Sequence, residues 1–92
     1  MERKETELMT EPEFEMLDEL YFIKNLEDLR KELKSAEYDI REELWKLIQK
    51  GWVRATVHKD QEVNLTEEDF QRDVNNYYFI ATKNGLLAHN RV

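Results

Sequence analysis

A chain of 92 residues and 11.2 kDa has room for one small domain and excludes a two-domain enzyme. Hydrophobic residues are 40% and charged residues 38%, which is enough for one thin core and too apolar for a disordered chain. The net charge of -7 has the wrong sign for a protein whose main task is holding phosphate backbones, and the lack of cysteine removes disulfides, thiolate zinc sites and cysteine nucleophiles. No apolar run approaches the roughly 18 residues of a membrane span. The opening Met1-Glu2-Arg3-Lys4-Glu5-Thr6-Glu7 also lacks a signal peptide's apolar stretch, so a cytoplasmic domain without membrane contact is expected.

Taken in chain order, residues 1–8 are nearly all polar and are expected to be disordered, with the domain beginning at Met9. Thr10-Glu11-Pro12-Glu13 has capping-box spacing, with Met9 and Phe14 as a hydrophobic staple. Phe14, Leu17, Leu20 and Tyr21 follow at helical spacing, which predicts a first helix over Glu11 to Ile23. Asn25 can cap a second helix whose apolar edge is Leu26, Leu29 and Leu33, ending near Lys34 or Ser35. A third helix starts either at Ser35 or at Asp39. Its face of Ile40, Leu44, Leu47 and Ile48 is continuous, and Gly51 stops it.

Beyond Gly51 the period changes to two. In Trp52 to Lys59, alternation puts Val53, Ala55 and Val57 on one face and Trp52, Arg54, Thr56 and His58 on the other. Tyr77-Tyr78-Phe79-Ile80-Ala81 is a second strand-like run, in which Val53, Val57 and Ile80 are expected to cover the core while Tyr77 and Phe79 face away. The intervening Asp60 to Asn76 is long for a structureless connection, and Thr66 can cap a short helical turn there carrying Phe70 and Val74 inward. Thr82 to His89 suggests a short last helix weakened by Gly85.

Ile40, Leu44, Leu47, Gly51, Trp52 and Val53, with Tyr77, Tyr78, Ile80, Thr82, Gly85, Leu86 and Leu87, resemble the third helix and wing ending of winged helix-turn-helix domains, with Ala81 where that family usually has Leu. The resemblance implies an α+β fold: a three-helix core, a two-stranded antiparallel wing and a short C-terminal helix. It also implies that the third helix enters a DNA major groove while the wing touches backbone. Arg41, Lys46, Lys50 and Arg54 are the candidate DNA contacts on that alternative. Charge placement opposes it, because Glu37, Asp39, Glu42 and Glu43 crowd the start of the third helix and residues 60–73 carry a net -5.

The preferred expectation is a non-enzymatic module that binds a protein partner or a second copy of itself through Trp45, Trp52, Tyr77 and Phe79. These aromatics exceed what one thin core comfortably buries, and Tyr and Trp are enriched at energetically important interface positions. The competing account is that they pack on each other as cross-strand pairs. No cofactor, metal or small-molecule substrate is expected. His58 and His89 are 31 positions apart, Asp60, Glu62, Asn64 and Thr66 lack the glycine and closing glutamate of a calcium loop, and two glycines cannot build a phosphate loop.

Overall fold

The computed structural model describes residues 9–58 and 60–91; the expectation of disorder over residues 1–8 lies outside them. Helix α1, Glu11–Glu19, begins with the expected box. The Glu13 amide donates to Thr10 Oγ1 at 3.2 Å, and the Thr10 amide donates to Glu13 Oε1 at 2.9 Å. It ends four residues before Ile23, because the Leu20 carbonyl accepts from the Ala81 amide at 2.9 Å and the chain leaves the helix for the two-residue strand β1, Lys24–Asn25. Asn25 then caps α2, Leu26–Glu32, accepting from the Asp28 amide at 2.8 Å. Of the two starts open to the third helix, Asp39 is used: α3 spans Ile40–Lys50, and Gly51 closes it at φ 80°, a conformation in which a Cβ would be strained.

Two further strands and an inserted arm follow. Strand β2, Val53–Val57, turns into β3, Gln61–Val63. The arm continues through α4, Glu67–Asp73, and a 3-10 turn over Val74–Asn76 before β4, Tyr78–Ala81, and α5, Lys83–Asn90. The sheet is antiparallel throughout, in the order β1-β4-β2-β3. The fold is therefore α+β, with five α-helices and four strands among the described residues. The expected pairing of the two strand-like runs is the β2-β4 ladder; β1 and β3 are strands the periodicity does not announce.

Register decides which aromatic enters the core. Val53 stands opposite Ala81 and Ala55 opposite Phe79, so these four share the inner face, while Arg54 stands opposite Ile80 and Thr56 opposite Tyr78 on the outer one. Phe79 is fully buried and Ile80 only half-buried, which reverses the expected orientation of that strand. The small Ala55 side chain leaves the volume that the Phe79 ring fills. Around it lie Leu17, Leu20, Leu26, Leu29, Leu44 and Leu47, all buried, and the arm adds buried Phe70 and Val74. Each large apolar side chain so buried stabilises the fold by about 1.5–3 kcal/mol relative to exposure. Phe70 meets Phe79 edge-on at 6.2 Å between centroids, so the arm is a wall of the core.

The last helix is pinned at its first turn. Thr82 Oγ1 donates to the Gly51 carbonyl at 2.6 Å and the Thr82 amide to the Trp52 carbonyl at 2.8 Å. A Cβ on Gly85 would stand 2.1 Å from the Trp52 oxygen. The glycine that lowers helix propensity here is what lets α5 lie against the start of β2.

Candidate functional site

The solvent side of α3 is flanked by two clefts. One, of about 540 Å³, opens toward α4 and is lined by Arg30, Asp39, Arg41, Glu42, Trp45, Lys46, Gln49, Glu67 and Gln71. The other, of about 530 Å³, lies between α3, the start of β2 and the segment leaving β3. Trp45, Gln49 and Glu67 belong to both. Helical spacing puts Trp45 on the flank of the Leu44-Leu47 stripe, where one side of its ring packs on Phe70 at 5.1 Å between centroids and it remains half-buried. The indole therefore forms a supported ridge between two depressions, the arrangement in which an aromatic anchor can meet a partner at little entropic cost.

The four candidate DNA bases are not gathered into a positive face. Arg41 Nη2 donates to the Gln71 carbonyl at 3.0 Å and to Gln71 Oε1 at 2.8 Å, fastening α3 to α4. Lys46 pairs with Glu43 at 3.6 Å. Lys50 pairs with the nearly buried Glu13 carboxylate at 2.5 Å, and its ammonium lies 4.5 Å from the Trp52 ring centroid. Only Arg54 is exposed and without an ion pair among the described residues. Lys59 lies outside those residues.

The four candidate interaction aromatics separate as well. Trp45 faces the clefts. Trp52 is half-buried under the Lys50 ammonium, and Tyr77 is half-buried against the core just before β4. Phe79 has no exposed surface, so its place in a contact surface is corrected: the register that sets it over Ala55 puts it inside.

Three large hydrophobic residues are exposed: Tyr21, Phe22 at 75% and Leu87 at 52%. Helical spacing assigns Tyr21 to the buried stripe of α1, and only the departure of the chain into β1 exposes it and Phe22. Nearby, α5 is clamped to α1. The His89 ring stacks on Phe14 at 4.2 Å, and the Tyr21 hydroxyl donates to Asn90 Oδ1 at 3.0 Å while lying 2.9 Å from His89 Nδ1. A hydroxyl has one proton, so the imidazole Nδ1-H is the donor in the second contact.

Tyr38 and Asp69 have shifted acidities with clear causes. Burial, then the hydrogen bond its hydroxyl donates to Glu15 Oε1 at 2.9 Å, pushes Tyr38 well above the ordinary tyrosine range. Asp69 is held below the ordinary carboxylate range by the Thr66 hydroxyl first, then by the Thr66 amide and Arg72. Both shifts are explained by structural contacts, and neither group lies in a converging set of chemical groups. Comparison with models of known protein families, with characterised proteins and with solved structures returned no match for this chain.

Proposed function

We propose that this domain is a non-enzymatic winged-helix module that binds protein through the solvent side of α3. The observation that carries the proposal is Trp45, braced by Phe70 between two clefts while Arg41, Lys46 and Lys50 are engaged within the domain. The winged-helix part is supported by three helices running into β2, the antiparallel β2-β4 ladder and the short helix after it. Strands β1 and β3 and helix α4 are additions to what the resemblance implies. The alternative, a DNA-binding regulator, has weaker support. Groove binding requires cations that neutralise several phosphates, and three of the four candidates already have partners while carboxylates start α3.

A photo-crosslinking amino acid at exposed Gln49, which borders both clefts, tests the proposal. It should yield a discrete protein adduct, either with a partner or with a second copy at high concentration, while the same group at Leu87 should not. Absence of any protein adduct at Gln49, together with a salt-dependent mobility shift on duplex DNA at physiological ionic strength, would overturn it in favour of the regulator.

A further inference from the structure

The solvent face of α3 carries a charge pattern that is its own complement. On a helix of about 3.6 residues per turn, Glu42, Trp45, Lys46 and Gln49 fall within about 100° of one another, opposite the buried Leu44 and Leu47. Glu42 is exposed and without an ion pair among the described residues, as are Arg30 and Glu67 beside it. Lys46 is 3.6 Å from Glu43, too far for a hydrogen bond, so its N-H donors remain for another acceptor. The stripe therefore runs from acid at its N-terminal end to base toward its C-terminal end, with the Trp45 indole between them.

Charge selects the occupant. The cleft of about 540 Å³ on this face is lined by Arg30, Arg41 and Lys46 and by Asp39, Glu42 and Glu67, so it is neutral on a chain of net charge -7. A uniformly basic or acidic partner would meet as many like charges as opposite ones. A second copy turned antiparallel reverses the order and meets opposite charges at both ends of the stripe. It also approaches on a neutral face of a molecule whose total charge repels it. Setting Glu42 against Lys46 of the second copy puts the two-fold axis at residue 44 of α3, about 1.5 Å along the helix from Trp45. The same axis brings the two indoles together, each backed by its own Phe70, and sets Gln49 across from residues 39–41 of the second copy.

Resting on the protein-binding reading above, we propose that the α3 face binds a second copy of this chain about a two-fold axis, with the two α3 helices antiparallel. Trp45 is the buried centre, and a Glu42-Lys46 pair between the chains stands on either side of it. The aromatic contact supplies affinity, and the charge pairs fix the antiparallel register.

Sedimentation equilibrium of the parent chain from micromolar to millimolar concentration should show a reversible dimer. Glu42→Lys sets lysine against lysine, and Lys46→Glu sets carboxylate against carboxylate, so each variant alone should dimerise at least about tenfold more weakly. Mixed in equal amounts, the two should form a heterodimer at least as tight as the parent dimer, since every pair between the chains is then opposite in charge. Both positions are exposed, and an unchanged far-ultraviolet circular dichroism spectrum checks that each variant is folded. A photo-crosslinker at Gln49 should attach to residues 39–41 of the second copy. Single variants that dimerise like the parent, or a mixture that does not recover the dimer, overturn the proposal. A parent chain that stays monomeric at millimolar concentration overturns it too, and a Gln49 adduct with a different protein then leaves protein binding standing. A DNA mobility shift with no Gln49 adduct removes the reading beneath the proposal and the proposal with it.

Discussion

Phe79 and Gly85 show how single residues acquire roles that their types alone do not announce. The strand run Tyr77 to Ala81 reads correctly as a strand, but alternation says only that Tyr78 and Ile80 oppose Phe79 and Ala81. Which pair turns inward depends on the partner strand, and Ala55 across from Phe79 decides it. Phe79→Ala should therefore cost about 3–5 kcal/mol in urea unfolding, the range for a buried aromatic truncated to alanine. A cost near zero would mean that the ring is at the surface after all. Gly85→Ala makes the opposite test. On propensity alone the substitution would stabilise α5 by about 1 kcal/mol. The new methyl would stand 2.1 Å from the Trp52 carbonyl oxygen, main chain that cannot swing aside. Overpacking of this kind costs about 1–3 kcal/mol, so the expected result is a lowered urea midpoint, and a raised one would refute the close approach.

At the scale of elements, what could be read was what is local. Thr10-x-x-Glu13, Asn25, Asp39 and Thr66 each sit three residues from the amide they cap, so the chain announces those helix starts without knowing the fold. Strand β1 was not legible, because two residues have no period and exist as a strand only since β4 lies alongside. The same non-local pairing exposes Phe22 and shortens α1. The α4 cap is reciprocal: the Asp69 amide donates to Thr66 Oγ1 at 3.0 Å and the Thr66 amide donates back to Asp69 Oδ2 at 3.4 Å. Since the folded chain lowers the pKa of Asp69, its contribution is present above the unfolded value, about 3.9, and is lost as pH falls through the lower folded one. The Thr66 amide resonance should therefore titrate with a midpoint below about pH 3.9, and Asp69→Asn should abolish that titration. A midpoint at or above the ordinary carboxylate value would show that the carboxylate does not hold the cap.

For the whole molecule, the main departure from a simple three-helix-and-wing plan is the arm between β2 and β4, whose acidity suggests a solvated excursion from the core. Its outer surface fits that description, with Glu62, Glu67 and Glu68 exposed, yet Phe70 and Val74 are buried on its inner side and Trp45 leans on Phe70. The two roles separate in one substitution. Because the Thr82 amide bonds the Trp52 carbonyl, alternation makes Thr56 and Tyr78 a hydrogen-bonded pair, and an Asn-Gly turn can join them in place of residues 57–77 without disturbing the β2-β4 register. If the arm were only a wing, the shortened chain would fold to a tighter hairpin and unfold cooperatively near the parent's midpoint. Truncating a buried phenylalanine alone costs about 3–5 kcal/mol, and loss of Val74 and of the support under Trp45 adds to it. A domain of this size has about 5–14 kcal/mol of total stability, at roughly 0.05–0.15 kcal/mol per residue. The expected outcome is therefore loss of near-ultraviolet circular dichroism and of a cooperative urea transition, with an acidic face and a core wall removed together.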